Sequence, residues 1–479
     1  MNLQIYNTCT KRKEIFTPLR KGNVLMYHCG PTVYWTQHIG NMRAVVLADG
    51  VVRTLMFLGY TISLVRNYTD VGHLSGDNEG DADSGEDRME KGAKRECLSP
   101  LEIAEKYIGV YEKDIADLNV VQPRIKPRAT EHIPEIIDMV QTLVNKGYAY
   151  TTDLAVYFDT SKAQNYHKLS GQNSEANIEG AGTGNVNDPS KKHPSDFALW
   201  FFRTGVHKQA LQYWSSPFVS PSVEHGEGFP GWHIECSAMS KKHLGETIDI
   251  HMGGIEHVPI HHTNEIAQSE AANGVEFVHY WIHNEHLLVN DGKMSKSEGT
   301  SYSLEDVRKK GCNPLALRYF FLQSHYRSKQ NFTWDALQAA QQGLDGLYRK
   351  AAALGDVSGT VSLEHEKLFT TALADDFNIP KALAITFEML KSDLPNQDKR
   401  ATLIEFDKVL GLRIKETSMS EHEKQEDIPN EVLDLAKKVH QARTDRDFKT
   451  ADELRNQLQS QGYEISNTNE RTLVRKKKS

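Results

Sequence analysis

Two adjacent histidines followed by a glutamate are the first residues in this chain whose types and spacing could carry chemistry. They lie in the stretch PIHHTNEIAQSEA, residues 259–271. The sequence from Asn264 onward favours a helix, and a start one turn earlier places His261 and Glu265 on one face. Such a pair is typical of a helix-face hydrogen bond, so a metal site would need further ligands from elsewhere in the chain.

The further ligands that the sequence offers are its cysteines, Cys9, Cys29, Cys97, Cys236 and Cys312. Because they are few, odd in number and widely spaced, metal or catalytic use is favoured over a disulfide framework. Cys236 lies 25 residues before His261. Cys29 ends the first predicted strand, where ligand-binding loops of parallel sheets emerge. Two thiolates, one imidazole and one carboxylate are a sound ligand set for zinc. Each cysteine alone is also explained as a small buried apolar residue.

Two short motifs offer groups that suit phosphate. HIG, from His38 to Gly40, lies on the turn between the first predicted strand and its helix. Free N–H groups and the helix dipole hold phosphate at such a position, and a histidine there can donate to developing negative charge. KMSKS, residues 293–297, has two lysines three apart among hydroxyls. It is typical of a flexible cationic loop for polyphosphate, and a generic basic turn is the alternative.

The elements that must position these groups form an α/β pattern in the first half of the chain. An apolar strand at 23–27 is followed by a turn rich in Gly, Pro and Thr. A helix-period run follows and ends at Gly59, and a second strand covers residues 61–70. Strand, turn, helix and strand form a parallel crossover unit. Residues 78–96, which mix both charge signs with Gly and Ser, are predicted to be a solvated loop.

The rest of the chain changes character twice. Residues 119–224 have an α+β pattern with a long polar loop, which is typical of an insertion, and α/β character returns with GWHIECSAM and TIDIHMGG. After Cys312 the sequence predicts an almost entirely helical region. A polar linker at 418–430 precedes two apolar helical stripes, one at Val432, Leu435, Ala436 and Val439 and one at Phe448, Ala451, Leu454 and Leu458.

Composition bounds the environment and the partners. The chain has 479 residues, 39% of them hydrophobic, and a formal net charge of −8. No apolar run approaches the ~18 residues needed to span a bilayer, and the N-terminus has no apolar signal core. We therefore expect a cytoplasmic protein without a membrane segment. Residues 431–479 contain 11 Lys and Arg against 8 Asp and Glu, a local balance of +3. This excess is compatible with a polyanionic partner or with a merely solvated surface.

The combination of motifs resembles the class I aminoacyl-tRNA synthetases, which pair an early HIG turn with a late KMSKS loop. More specific stretches are similar to the cysteinyl-tRNA synthetase family, namely CGPTVY, HIGNMR, NYTD, GWHIECSAM, DIHMGG, HHTNEIAQSEA, ALRYFFLQSHYRS and DDFNIPKAL. The resemblance extends to ARTDRDFKTADELRNQL in the tail and so covers almost the whole chain.

The resemblance implies one zinc ion held by Cys29, Cys236, His261 and Glu265, with His262 as a neighbour. In that family the metal recognises the sulfur of the substrate cysteine. Shape alone discriminates weakly between cysteine and serine, whereas zinc binds a thiolate much more strongly than a hydroxyl. A chain with this site is therefore expected to need no editing domain.

The resemblance also implies roles in the reaction. His38 and Gly40 would bind ATP, with His38 stabilising the α-phosphate, and Lys296 with Lys293 would hold pyrophosphate. The positions that match the amino-acid pocket are Gly30, Thr69, Trp232 and His251. Magnesium is expected with ATP. Asn41 stands where the family motif usually has a second histidine, and its amide can donate a hydrogen bond but cannot become cationic.

By the same resemblance the fold is α/β, with a Rossmann-type parallel-sheet catalytic domain, an α+β connective insertion and a mostly helical C-terminal region. The implied segments are a first Rossmann half at 1–118, the insertion at 119–224, a second Rossmann half at 225–290, a KMSKS and stem-contact region at 291–345, a helical bundle at 346–417, the linker at 418–430 and an anticodon-binding region at 431–479. The implied partners are tRNA(Cys), ATP and L-cysteine, and the implied state is a monomer.

Three other functions compete with this interpretation. A related ligase that joins cysteine to an amino-sugar in mycothiol synthesis shares the fold, the zinc and both motifs, but needs no anticodon-reading tail. A non-catalytic tRNA-binding paralogue would not need His38, Lys296 and the four candidate zinc ligands. A zinc hydrolase would need an activating base beside an open metal position, and the sequence contains no such motif.

Overall fold

The computed structural model of the chain describes residues 2–74, 86–171, 188–294, 299–417, 429–467 and 472–476. Its strands are β1 (Gln4–Asn7), β2 (Arg12–Ile15), β3 (Asn23–His28), β4 (Thr61–Arg66), β5 (Ala149–Thr151), β6 (Ala155–Phe158), β7 (Phe197–Phe202), β8 (Gly228–Pro230), β9 (Ile248–Gly254), β10 (Val278–Asn284), β11 (Leu287–Val289), β12 (Gly292–Lys293), β13 (Gln330–Phe332), β14 (Tyr463–Asn467) and β15 (Thr472–Lys476). Its α-helices are α1 (Ile39–Phe57), α2 (Arg88–Glu96), α3 (Pro100–Asp117), α4 (Ile133–Asn145), α5 (Trp232–Leu244), α6 (His261–Asn273), α7 (Leu304–Lys309), α8 (Pro314–Leu322), α9 (Trp334–Ala353), α10 (Leu363–Leu373), α11 (Ile379–Lys391), α12 (Asn396–Leu410), α13 (Asn430–Thr444) and α14 (Phe448–Ser460).

The described residues fall into two units. The first contains residues 1–341, 364–388 and 408–412, and the second contains 342–363, 389–407 and 413–479. The helical bundle predicted at 346–417 is thus shared between the two units. The seven segments predicted from the sequence remain predictions.

A parallel sheet with strand order β10–β9–β3–β4 forms the centre of the first unit. Its two faces are both apolar, as expected for a parallel sheet covered by helices on each side. Met26 of β3 packs with Val51 of α1, whereas the next residue, Tyr27, packs on the opposite face with Met239 of α5 and Ile266 of α6. The α/β fold predicted from the sequence is confirmed.

The predicted crossover unit is present with nearly the predicted bounds. The strand expected at 23–27 is β3, and the helix α1 that follows ends just before Gly59, which has φ of +90°. A positive φ suits glycine after a helix because other residues meet a Cβ clash there. Because β3 pairs in parallel with β9, the carboxyl ends of the two strands lie side by side. The loops that follow them open on the same edge of the sheet.

The insertion forms an antiparallel sheet in the order β5–β6–β7–β8. Its strands pack against α4 through Phe158, Trp200 and Leu143, all fully buried. The predicted long polar loop lies largely within 172–187, outside the described residues. The chain leaves this sheet through β8 and enters α5 directly after Gly231, so the insertion ends at the start of a helix of the first unit.

The loop predicted at 78–96 is wrong for its second half, because residues 88–96 form α2. Asp87 caps this helix by accepting the N–H groups of Met89 and Glu90 at 2.7 and 3.0 Å. The guanidinium of Arg95 lies 3.7 Å from the centre of the Trp35 ring. The Asp87 cap and the contact of Arg95 with the Trp35 ring thus stabilise α2. The sequence did not predict this helix, because the segment contains both charge signs and a glycine.

The expectation of an almost entirely helical chain after Cys312 is also incomplete. β13 pairs in parallel with β11, and β14 pairs with β15 as an antiparallel hairpin. The two predicted helical stripes are confirmed as α13 and α14. Within the second unit, Val439 and Leu458 from these helices pack with Val474 of β15. Such a short segment has no clear pattern in the sequence and forms a strand because a pairing strand is available.

No helix within the described ranges is long and apolar enough to cross a bilayer.

A buried ion pair connects α1 to α8. Asp49 and Arg318 are both fully buried, and the carboxylate receives Arg318 Nη2 at 2.6 Å and Arg53 Nε at 2.7 Å. Burial raises the pKa of Asp49, but the two guanidinium groups outweigh it and the pKa is lowered overall. Arg318 also donates to the carbonyl of Leu410 at 2.7 Å.

We predict that Arg318→Met lowers the free energy of unfolding by about 3 kcal/mol, because it leaves a buried carboxylate partly uncompensated. Chemical denaturation followed by circular dichroism measures this change. Lys94→Ala is the control, since Lys94 pairs with Glu86 at 2.8 Å on the surface and its loss should have a much smaller effect. Equal stability of both variants would show that the buried pair contributes little.

Candidate metal and nucleotide site

The helix that carries the histidine pair begins at His261, one turn before Glu265, as the i and i+4 argument requires. His261 Nε2 lies 3.0 Å from Glu265 Oε1. Both residues are buried, as are the other side chains of the first two turns of α6. A helix so polar and so buried must satisfy its groups internally.

Cys29 and Cys236 meet this pair from two other elements. Cys29 follows β3, and Cys236 lies in the middle of α5. The ligand atoms of Cys29, Cys236, His261 and Glu265 all lie within 4.8 Å of one another. Zinc–sulfur and zinc–nitrogen bonds of about 2.3 and 2.0 Å place tetrahedral ligands roughly 3.3–3.8 Å apart. The four residues therefore fit a zinc ion with little movement.

The charges inside this cluster favour metal binding. The Cys29 side chain and His261 lower the pKa of Cys236 to about 6 against the effect of burial. Burial lowers the pKa of His261, but Glu265 and Cys236 outweigh it and raise this pKa to about 10. The neighbouring groups thus favour the thiolate form of Cys236 and the protonated form of His261. A metal must displace the His261 proton, so its affinity should rise with pH.

Further histidines surround the cluster and hold it in place. His251 Nε2 lies 2.9 Å from Glu265 Oε2, and His233 Nδ1 lies 2.8 Å from His261 Nδ1. His262 Nε2 lies 3.4 Å from Cys29 Sγ. Cys29, His251, His262 and Glu265 also have ligand atoms within 4.8 Å of one another. The family resemblance implies that His262 is a neighbour of the metal, and the second set makes it an alternative ligand.

One cleft of about 660 Å³ joins the cluster to the HIG turn. The predicted site residues that line it are Cys29, Gly30, His38, Gly40, Asn41, Thr69, Trp232, Cys236 and His261. His251, predicted from the resemblance to line the amino-acid pocket, is fully buried and is absent from the described wall of the cleft. It contacts Glu265 instead.

His38 occupies the cap position of α1. Its Nδ1 accepts the backbone N–H of Asn41 at 3.3 Å, so the ring proton is assigned to Nε2. A Cβ on Gly40 would lie 2.2 Å from Met294 Cε and 3.0 Å from the His38 ring. Gly40 therefore lets the methionine of KMSKS lie against the HIG turn. The Lys293 side chain and residues 295–298, including Lys296, lie outside what is described.

Two residues of this region, Arg43 and Asn67, form structural hydrogen bonds that the sequence analysis did not predict. Arg43, 1% exposed, donates to the carbonyls of Glu285 and Ser328 and to Gln330 Oε1. It thereby connects α1 to the turn between β10 and β11 and to β13. Asn67 Oδ1 accepts the Gly30 N–H at 2.9 Å. The sequence offered two indications of these roles: an asparagine directly after an apolar strand and an arginine within an apolar helix.

The cluster geometry predicts that Cys236→Ser lowers bound zinc well below one ion per chain. The serine keeps the volume but offers no thiolate. Elemental analysis of dialysed protein gives the ratio. Cys97→Ser is the matched control, because Cys97 is exposed and remote from the four ligands in sequence and element. Full zinc content in Cys236→Ser would favour the alternative set with His251 and His262.

Known proteins resemble this chain along its whole length. The family described as tRNA synthetases class I (C) catalytic domain matches residues 15–342. A cysteine–tRNA ligase from Treponema denticola is 40% identical over 99% of this chain and 100% of its own length. Cysteine–tRNA ligase 1 from Burkholderia lata is 41% identical over 98% of this chain and 96% of its own.

A solved structure resembles the fold. Mycobacterium tuberculosis methionyl-tRNA synthetase in complex with methionyl-adenylate superposes with a TM-score of 0.53 at 14% identity. The match covers 83% of this chain and 92% of that one. At this identity the likeness supports the fold alone. With the family match and the full-length relatives, the chain belongs to the cysteinyl-tRNA synthetase family of the class I aminoacyl-tRNA synthetases.

Proposed function

We propose that this chain joins L-cysteine to tRNA(Cys) in two steps, through a cysteinyl-adenylate, and that zinc selects the cysteine side chain. The observation that carries the proposal is that one cleft connects the cluster of two cysteines, a histidine and a glutamate to the start of α1, where the HIG turn could bind phosphate. Selection of a thiol and activation with ATP require these two sites to lie within reach of one amino acid.

The metal end selects the side chain. A bound zinc ion supplies a position that takes a thiolate in preference to a hydroxyl. Cys29, Cys236, His261 and Glu265 would hold it. His251 and His233 hydrogen-bond to Glu265 and His261 and so orient these ligands, which is how surrounding histidines commonly act. We assign His251 this supporting role rather than a contact with substrate.

The pocket between the two ends is formed by Gly30, Thr69 and Trp232. The Trp232 ring stacks on two histidine rings, those of His261 and His73, with a distance of 4.0 Å between ring centres in each pair. The indole is therefore held by aromatic packing beside a proposed ligand. It provides a rigid wall for the small cysteine molecule and excludes water from it.

The phosphate end activates the carboxylate. The cysteine carboxylate attacks the α-phosphate of ATP, and pyrophosphate leaves. His38 would donate its Nε2 proton in a hydrogen bond to the phosphate, since Nδ1 is occupied by the Asn41 N–H. Lys296 and Lys293 would neutralise the leaving pyrophosphate, with Mg²⁺ accompanying ATP. A terminal hydroxyl of tRNA then takes the cysteinyl group and releases AMP.

The direct test is cysteine-dependent ATP–pyrophosphate exchange, measured alongside charging of tRNA(Cys). We expect both activities in the wild-type chain. Lys296→Ala should lower kcat for exchange by at least about tenfold with little change in cysteine affinity, because its charge matters most as pyrophosphate departs. Lys329→Ala, a lysine elsewhere on the cleft wall, is the control.

Each alternative function gives a different result. Exchange without tRNA charging, together with transfer of cysteine to an amino-sugar, would identify the small-molecule ligase. Binding of tRNA without exchange would identify the non-catalytic paralogue. An unchanged exchange rate in Lys296→Ala would refute the role of that lysine while leaving the overall reaction in place.

We further propose that residues 431–479 bind the tRNA anticodon. Their described part has its own apolar core, which includes Val439 and Leu458, and the basic end follows β15. Phe448 at the start of α14 is 60% exposed. An exposed aromatic ring suits unpaired bases, which proteins recognise by stacking and edge contacts.

Deletion of residues 431–479 should spare ATP–pyrophosphate exchange and strongly weaken tRNA charging. The ratio of full-length to truncated charging rates should become smaller as salt rises, because the deleted phosphate contacts supply salt-sensitive affinity that only the full-length chain has. Initial charging rates at two salt concentrations measure this effect, and exchange by the same truncated protein shows that its catalytic unit is folded. Charging that is unaffected by the deletion would contradict an anticodon role. The monomeric state and the cytoplasmic location remain predictions.

A further inference from the structure

Trp35 is a large aromatic residue that the reaction outlined above does not use. It lies in the loop between β3 and α1, shortly before His38, and it lines the cleft. It is 37% exposed, whereas Trp232, which the proposed function places in the amino-acid pocket, is 7% exposed. An exposed indole at the wall of a substrate cleft is a candidate contact surface for a substrate.

Trp35 is held in one orientation by residues of two helices and of its own loop. The guanidinium carbon of Arg95, on α2, lies 3.7 Å from the centre of the Trp35 ring. The Tyr107 ring of α3 lies 6.2 Å away between ring centres, with an angle of 24° between the ring planes. Gln37 Nε2 donates to the Trp35 carbonyl at 3.2 Å. The indole is therefore ordered before any ligand binds, which lowers the entropic cost of stacking on it.

Arg95 is itself fixed against the loop that carries Trp35. Its Nη2 donates to the carbonyl of Tyr34 at 2.9 Å and to Glu96 Oε1 at 2.8 Å. Gly92 lets α2 approach this loop closely, since a Cβ there would lie 3.1 Å from the Tyr34 carbonyl oxygen. The helix that the sequence did not predict thus forms the support of the Trp35 ring.

Cations lie on the same side of the cleft. The α2 sequence RMEKGAKRE contains four Lys and Arg against two Glu, a balance of +2 in a chain with a net charge of −8. Arg88 lines the cleft, 5.7 Å from the centre of the Tyr34 ring. Lys94 and Arg95 are each paired with a glutamate, so the ring is the principal feature. Aromatic rings beside cations are typical of surfaces that bind single-stranded nucleic acid.

We propose that an unpaired base at the 3′ end of tRNA stacks on Trp35 when the terminal hydroxyl enters the cleft. This inference rests on the proposed function, because it assumes that the cleft receives tRNA. The ring would hold the end of the tRNA beside the activated amino acid, and no bond is made or broken at Trp35. Trp35 should then matter for transfer to tRNA and not for formation of the adenylate.

The test measures two activities of the full-length chain. Trp35→Leu keeps an apolar side chain against Arg95 but removes the aromatic face. We expect it to lower kcat/KM for tRNA(Cys) in charging by at least about fivefold, the lower end of the loss for one stacked base. Cysteine-dependent ATP–pyrophosphate exchange, which needs no tRNA, should be almost unchanged. Trp35→Phe keeps a ring and should restore most of the charging rate.

A second measurement separates stacking from a structural effect. Binding of complete tRNA(Cys) is compared with binding of tRNA(Cys) that lacks its unpaired 3′ end, by fluorescence anisotropy of RNA labelled at the 5′ end. Trp35→Leu should weaken binding of the complete tRNA only, since the shortened tRNA has no base to stack there.

Tyr213→Ala is the matched control for both measurements. Tyr213 is 40% exposed and has the guanidinium carbon of Arg203 3.7 Å from its ring centre, as Trp35 has Arg95. It is not among the described residues of the cleft wall. Its loss should leave charging and both binding constants unchanged.

An unchanged kcat/KM for tRNA in Trp35→Leu, equal losses in charging and exchange, or equal weakening of the complete and shortened tRNA would overturn the inference. Trp35→Phe that is no better than Trp35→Leu would do the same, because the aromatic face would then not matter. A raised KM for ATP in exchange would indicate that the ring contacts the base of ATP instead. If the wild-type chain charges tRNA and Trp35→Leu has no effect, this inference alone fails. If the wild-type chain does not charge tRNA, the proposed function fails and this inference fails with it.

Discussion

The fully buried carboxylate of Glu265 is the constraint around which the site is arranged. A charge with no access to water is tolerated only when partners compensate it, and Glu265 receives His261 at 3.0 Å and His251 at 2.9 Å. Each of these imidazoles has a second ring nitrogen that also needs a hydrogen-bond partner. Nδ1 of His261 lies 2.8 Å from Nδ1 of His233. The result is a group of histidines whose orientations depend on one another, and through them on one carboxylate.

The same network gives the thiolates their chemistry. Cys236 lies close to His261, and the Cys29 side chain together with His261 lowers its pKa, which favours the thiolate. A thiolate is the form that binds a metal, so the cluster is prepared for an ion before one arrives. Because Cys29 follows β3 and β3 pairs with β9, the position of the metal end is fixed by the central sheet. One loop then runs from Cys29 to His38 and connects the two ends of the cleft.

Much of the fold was predictable from local pattern. The β3–α1–β4 crossover follows from an apolar strand, a turn and a helix period that ends at a glycine, and α13 and α14 follow from their apolar stripes. The failures have a common cause. α2 is stabilised by Arg95 on the Trp35 ring, and β13 exists because β11 is available as a partner. In both elements, a contact with a residue far away in the sequence outweighs a weak local preference for helix or strand.

The site divides in the same way. The sequence by itself determined that His261 and Glu265 share a helix face, because a helical period is a local property, and its family motifs named Cys29 and Cys236 as companions. Only the tertiary structure decided that α5, α6 and the end of β3 converge within a few ångströms. It also buried His251 against Glu265 instead of placing it among the described residues of the cleft wall. Burial and partnership depend on which elements pack together, and that information is spread over contacts between residues far apart in the chain.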